Sequence, residues 1–468
     1  MDKFLEILKA IDNAVWGVPT LVILLGTGLY YTIRLKGIQF TKFPRALKMI
    51  FEKEEGASGD VSPFASLCTS LAATIGTGSI VGVATALRLG GPGALFWMWV
   101  SALLGMATKY AECLLAVRYR EQDDKGNFSG GPMYYIEKGM GKKWKPLAVI
   151  FAVFALITTL LGTGVLCQSN SITEIVNDIW QIPTWITGLI LTVIVALVIL
   201  GGIKSISKIA EIVVPVMAIL YVGSAILVIG INFTELPSVF GQIFKGAFSS
   251  TAIAGGVSGT LVISMLTALR SGVARGVFSN EAGLGSSPIA SASAQTNSSV
   301  RQGLISMTGV FFTTIVICTM TGIVVISSGL LNTSTVDGSI LVGNAFGTIF
   351  TKIMGEAVGS YVGKIVVAVG IIFFSFTTII GWSYYGERCL VYLTGSANST
   401  ILYRIATIVM LAIAPFLGLE AIWTIADITN ALMALPNLIG LLFLSKDVIK
   451  DTKEFFDIER SLAANKKQ

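Results

Sequence analysis

Long apolar stretches recur along this 468-residue chain, and they constrain its fold more than any other feature. Eleven runs are read as spans, at about 14–34, 64–87, 94–117, 146–168, 184–201, 210–231, 245–269, 303–331, 363–383, 401–418 and 421–444. Each approaches or exceeds the roughly 20 residues a helix needs to cross the hydrocarbon core. No alternation of period two, the mark of a membrane barrel, competes with them. Charged residues make up 13% of the chain and hydrophobic ones 53%, against roughly a quarter charged in soluble domains. An all-α integral membrane protein follows.

Charge placement orients it. With the N-terminus outside, the loops 34–60, 118–145, 202–208, 270–302 and 385–404 and the tail after 445 hold 26 of the 33 Lys and Arg residues. Such a bias over short loops marks the cytoplasmic side, so a multi-pass protein of the cytoplasmic membrane is expected, N-terminus out and C-terminus in. The first residues lack the basic, apolar and small-residue pattern of a cleaved signal, so the N-terminus is expected to remain. The charged, amphipathic tail reads as a helix on the cytoplasmic lipid face.

Chemistry is limited by what is missing. The chain has no histidine, the usual acid–base group near neutral pH and the commonest metal ligand. Cys68, Cys113, Cys167, Cys318 and Cys389 stand singly, without a CxxC pair, so neither a disulfide frame nor a zinc site is suggested. An enzyme is not expected, nor a cofactor, nor a nucleic-acid partner.

Two spans are interrupted. The second carries Gly76-Thr77-Gly78-Ser79 at mid-membrane, behind the Ser62-Pro63 start signal. The seventh carries Gly255, Gly256 and Gly259 around Val257. If the first span is set aside, these are the opening helices of two sets of five, and five being odd, the sets are inverted. Gly-interrupted spans at matching positions mark the substrate site in many secondary transporters. The unwound amides suit a carboxylate and the unwound carbonyls a cation; close helix packing through small residues is the competing explanation. The corresponding division is a peripheral segment at 1–60, repeats at 61–232 and 233–445, and a tail at 446–468. The GxGxxxG spacing from Gly76 to Gly82 lacks the strand and βαβ unit of a dinucleotide loop.

Five stretches resemble the alanine or glycine:cation symporters of the amino acid–polyamine–cation superfamily. They are Ala73–Gly82 (ATIGTGSIVG), Gly90–Trp99 (GGPGALFWMW), Lys109–Glu112 (KYAE), Arg275–Gly285 (RGVFSNEAGLG) and Gly381–Glu387 (GWSYYGE). Ser79 stands where that family often has Asn, and no His lies near Ala290. The resemblance implies a LeuT-like core of 5+5 helices and sodium-coupled uptake of alanine or glycine, working as a monomer. It implies a carboxylate on the amides of Thr77 and Gly78, beside Gly76 and Ser79, and an ammonium facing the carbonyls of Gly255, Gly256 and Val257. Gln168, Phe376 and Trp382 would close the pocket. Sodium would lie among Ala72, Ile75, Thr377 and Thr378; a Thr pair in a helix can otherwise bond its own backbone. Lys109 and Glu112, three apart, are expected to neutralise each other. Arg275 and Glu281 are expected to pin a cytoplasmic loop, and Asp427 and Asn430 to support the scaffold or a second ion. A proton-coupled carrier using Glu112 or Asp427 is the alternative, and a channel a more distant one.

Overall fold

A computed structural model describes the chain apart from residues 1, 53, 55, 249–251, 257–258, 264, 332–337, 418 and 466–468. Its longer helices are α1 (Asp2–Val15), α2 (Val18–Arg34), α3 (Pro63–Thr74), α4 (Val81–Gly90), α5 (Gly93–Arg118), α6 (Lys145–Leu161), α7 (Leu166–Trp180), α8 (Thr184–Ile199) and α9 (Gly202–Ile231). They continue as α10 (Leu236–Phe248), α11 (Met265–Asn280), the short α12 (Ser287–Ser291), α13 (Ser299–Ser327), α14 (Gly338–Met354), α15 (Glu356–Thr394), α16 (Ser399–Ile413), α17 (Leu419–Phe443) and α18 (Ser445–Asn465).

Seven helical stretches among the described residues are long and apolar enough to cross a membrane, and the α1–α2 pair, bent by 41°, makes an eighth if it is one span. Together they cover eight of the eleven runs read from the sequence. Two more exist as helices too short for that count. The α3–α4 run is cut by non-helical backbone between Thr74 and Val81, and α8 has 16 residues.

The run at 245–269 differs from expectation. Ala252–Gly256 (β1) and Gly259–Ile263 (β2) pair as antiparallel strands, Gly255 opposite Thr260, and helix resumes only at Met265. Glycine costs about 1 kcal/mol per position in a helix, and this stretch concentrates it. The segment 265–291, read from the sequence largely as a cytoplasmic loop, is instead the helical pair α11 and α12 with buried backbone between them.

Glycines set how closely the helices approach. On α5 and its neighbours, a Cβ at Gly272 would sit 2.3 Å from the Ala94 carbonyl and one at Gly303 2.8 Å from that of Tyr110. The α14–α15 hairpin closes the same way, a Cβ at Gly363 meeting the Gly347 amide at 2.1 Å. Small residues at such crossings allow the van der Waals packing that holds helices together in lipid.

The C-terminal helix packs part of its length on the protein body. On α18, Val448 and Phe456 are buried, the Tyr110 and Thr452 hydroxyls share a hydrogen bond of 2.6 Å, and Arg45 and Arg118 hold Glu459 and Asp451. Part of its apolar face is taken up by the protein body, while Ile458 and Leu462 remain exposed.

Candidate functional site

Ser62 starts α3 by accepting the Ala65 amide at 3.0 Å, with Pro63 in the first turn. The helix stops at Thr74, the chain runs extended through Gly76, turns once over Thr77–Ser79 and resumes helix at Val81. Gly76 is required by crowding: a Cβ there would lie 2.4 Å from Thr378 Oγ1 and 3.0 Å from Gln168 Oε1. At Gly78 it would lie 2.8 Å from the Phe278 ring. The break is therefore enclosed by α7, α11 and α15, as backbone without helical hydrogen bonds must be at membrane depth.

From α15, Thr378 Oγ1 donates to the Ala72 carbonyl at 3.0 Å and Trp382 Nε1 to the Ala73 carbonyl at 3.2 Å. The two are one turn apart, so a single face of α15 reads two successive carbonyls at the end of α3. Ile75 caps α3, its amide on the Leu71 carbonyl at 2.7 Å. The Thr377 hydroxyl is used inside its own helix, donating to Phe374 at 2.9 Å. Phe376 is half-buried, and two residues before Thr378 it projects from nearly the opposite side of α15. The hydroxyls of Ser375 and Thr77 are buried without a hydrogen-bond partner among the described residues.

Gln168 joins two breaks. Its Oε1 accepts the Thr77 amide at 3.1 Å, and its Nε2 donates to the Thr163 carbonyl at 3.0 Å. Thr163 lies in an additional interruption, Gly162–Val165 between α6 and α7, where Asn430 donates to its hydroxyl at 2.8 Å. The sequence reading ran one span through this point. The signal was present, since Leu161-Gly-Thr-Gly164 repeats the form of Ile75-Gly-Thr-Gly78.

The element facing Ser79 is the end of α11. Ser79 Oγ and Ser279 Oγ lie 3.0 Å apart, and Thr321 on α13 donates to the Ser79 carbonyl at 3.0 Å, just beyond a π-helical turn at Phe311–Cys318. After Asn280 the backbone turns left-handed at Glu281 (φ 58°), Gly283 (φ 90°) and Gly285 (φ 80°) before α12 begins. For glutamate this conformation is uncommon and held by its surroundings. Glu281 is buried and accepts from Ser286 and Ser287 at 2.7 and 2.9 Å. The second break beside Gly76–Ser79 is thus Glu281–Ser286. Gly255 and Gly256 are in the β1–β2 strand pair, and Val257 lies outside the described residues.

Lys109 and Glu112 both bond this second break, without a direct bond to each other among the described residues. Lys109 Nζ donates to the Asn280 carbonyl at 3.0 Å and to Ser287. Glu112 accepts the Gly283 amide at 2.9 Å and Asn437 Nδ2 at 2.6 Å. Arg275 is not in a cytoplasmic loop: its guanidinium meets Asp427 on α17 with two bonds, 2.9 and 2.6 Å, while Phe278 stacks on Trp423 at 5.4 Å.

Beyond both breaks the chain is tied shut. Val61 bridges Ala294 in parallel, and the Gln295 amide donates to the Val61 carbonyl at 2.7 Å. Arg120 donates to four carbonyls across this junction, Ala292, Ala294, Ser58 and Thr296, at 2.7–2.9 Å. Its guanidinium also covers the Phe128 ring at 4.2 Å.

Comparison with known proteins adds an independent line. A family model described as the sodium:alanine symporter family matches residues 1–468. The sodium/alanine symporter AgcS of Methanococcus maripaludis is 45% identical over 469 residues, covering 99% of each chain. An uncharacterized transporter of Haemophilus influenzae is 52% identical over 451 residues, 96% of each. The probable sodium/glutamine symporter GlnT of Bacillus subtilis is 38% identical over 460 residues, 97% of this chain and 91% of that one. Among solved structures, the manganese transporter of Eremococcus coleocola superimposes with a TM-score of 0.53 at 15% identity, covering 84% of this chain and 81% of that one. That likeness concerns the fold alone.

Proposed function

This chain belongs to the sodium:alanine symporter family, and from that premise we propose that it carries alanine or glycine into the cell with sodium, by alternating access around the Gly76–Ser79 break. It is a sodium-coupled amino-acid symporter and not an enzyme. The observation that carries the mechanism is that one short break presents both an ion face and a carboxylate face. The Ala72 carbonyl is bonded to Thr378, and two residues past Ile75 the Thr77 amide is bonded to Gln168.

In this reading sodium takes the oxygens of Ala72, Ile75 and Thr378, a hard cation preferring several oxygen ligands. Thr377 joins only if its hydroxyl turns away from Phe374. The substrate carboxylate takes the amides of Thr77 and Gly78, where the Gln168 carbonyl oxygen sits, so Gln168 swings aside as substrate enters. Trp382 stays on the Ala73 carbonyl and holds α15 to the break. The ammonium is assigned to the end of α11 at Ser279, which adjoins Ser79, in place of the carbonyls of Gly255, Gly256 and Val257; the Asn280 carbonyl is already taken by the Lys109 ammonium. Sodium fixes the end of α3 and thereby the Thr77 amide, and this is the coupling free energy between the two ligands.

Eleven spans, with one peripheral span and two inverted sets of five, fit the breaks at 75–80 and 281–286 as opening helices of the two sets. We assign the N-terminus to the outside, the C-terminus to the cytoplasm and the monomer as the working unit. Asp427, which a proton-coupled carrier could use, is held through both oxygens by Arg275, which favours sodium over that carboxylate; Glu112 bonds Gly283 and Asn437 through one oxygen only. One translocated charge contributes roughly 2.3 kcal/mol per 100 mV and a tenfold sodium gradient about 1.4. One sodium could therefore hold an amino-acid gradient of roughly 500-fold.

Calorimetric titration of alanine into the purified protein tests this. Binding is expected to tighten at least about tenfold when sodium replaces potassium, a coupling of about 1.4 kcal/mol. Equal affinity in both salts would overturn the shared-break account.

A further inference from the structure

We propose that the protein has a binding site for the phosphate headgroup of an anionic phospholipid, in the cleft between the α8–α9 turn, the end of α15 and the start of α16. The cleft holds about 340 Å³ and is lined by Lys125, Lys204, Arg388 and Arg404, with Glu387 the carboxylate among its walls. Part of this charge is internally matched. Arg388 holds Asp123 at 2.9 Å and Glu387 at 2.8 Å, and Arg404 holds the other Glu387 oxygen at 2.8 Å. Besides Glu387 and Asp123, Asp60 lies near Arg388 and Asp124 accepts the amide of the cleft residue Ala397, but Lys125 and Lys204, both exposed, form no ion pair among the described residues. The backbone keeps the mouth open. Gly202 takes φ +67°, and a Cβ there would lie 3.1 Å from Arg404 Nη2, while Arg404 Nη1 is fixed on the Leu200 carbonyl at 3.0 Å.

A second observation says what enters. The outer faces of α8 and α16 below this mouth are an apolar wall: Leu197, Leu200, Ile401, Leu402 and Ile405 are all at least half exposed. A basic pocket at the end of such a wall suits a molecule with an anionic head and two acyl chains, and basic pockets between spans on the cytoplasmic side bind anionic headgroups. A free phosphate would use the same cations but not the wall. The assignment to the cytoplasmic leaflet rests on the orientation proposed above; the binding chemistry does not. Because the cleft spans α9, α15 and α16, a bound headgroup would brace the inner end of the helix that carries Thr378.

The test is lipid retention. The full chain is purified with phosphatidylglycerol and phosphatidylethanolamine present, stripped stepwise with detergent, and weighed intact by native mass spectrometry. The Lys125→Gln/Lys204→Gln double variant is expected to bind phosphatidylglycerol about 30-fold more weakly than the parent, each lysine near the surface counting for roughly a factor of five. Lys446→Gln, an exposed charge on α18, should leave retention unchanged. Sodium-dependent alanine binding, followed in parallel, should persist in all three proteins, so failure of lipid binding is read apart from failure of the transport reading. Equal retention by parent and double variant would overturn the proposal. So would displacement of the lipid by inorganic phosphate at comparable concentration, which would make the ligand a free anion.

Discussion

Side chains around Gly76 carry the most exposed predictions. Removing the Thr378 hydroxyl takes away one oxygen bonded to Ala72, and hydrogen bonds to charged groups are worth about 1.5–3 kcal/mol. Thr378→Ala should therefore raise the sodium concentration for half-maximal uptake roughly 10- to 100-fold, with alanine binding at saturating sodium much less affected. An unchanged sodium dependence would move the ion elsewhere. Gly76→Ala would drive a methyl into Thr378 and Gln168; overpacking costs about 1–3 kcal/mol, so uptake should fall roughly 5- to 100-fold while the protein still purifies as a monodisperse species. Wild-type uptake in that variant would mean the break is looser than its contacts imply. The glycines and hydroxyls at 76–79 and 375–378 were legible because polar, permissive residues in an apolar span have few uses. A direct bond between Lys109 and Glu112 was not the outcome. Spacing along one helix says that two charges can meet, but the buried amide of Gly283 and carbonyl of Asn280 offered each a partner that only the fold supplies.

Breaks in helices were legible by composition and misplaced by charge. The stretch 270–286 reads as a loop because Arg270 and Arg275 look costly in lipid, yet Asp427 meets Arg275 through two bonds and lets α11 occupy the interior. That compensation is a tertiary fact. Breaking one side of a buried pair costs about 3–5 kcal/mol, so Asp427→Ala should lower the melting temperature by several degrees, and a double variant Arg275→Met/Asp427→Leu should recover much of it. No loss in the single variant would show the pair to be incidental. Arg120 gives the corresponding prediction for the closure beyond the breaks. With its four carbonyl contacts removed in Arg120→Ala, the junction of residues 58–61 with 292–296 should open, and the buried Cys68 and Cys113 should react at least about tenfold faster with a thiol reagent, a shift of about 1.4 kcal/mol in the opening equilibrium. Unchanged labelling would remove Arg120 from the closure.

At the scale of the whole molecule, spans, breaks and ties make a single device. Two interrupted helices meet where Ser79 touches Ser279, α15 reads the carbonyls on one side of the first break, and the backbone beyond is closed by Arg120. A channel would need those breaks to line a continuous path, whereas here they are packed against phenyl rings, hydroxyls and backbone. The central claim is that sodium and the amino acid share the first break and move together. Labelled alanine uptake into liposomes holding the purified protein tests it most directly, with sodium, proton and potassium gradients imposed one at a time. The account predicts accumulation above the outside concentration with an inward sodium gradient alone, abolished by Thr378→Ala at low sodium. Equal accumulation driven by a proton gradient in the absence of sodium would contradict it.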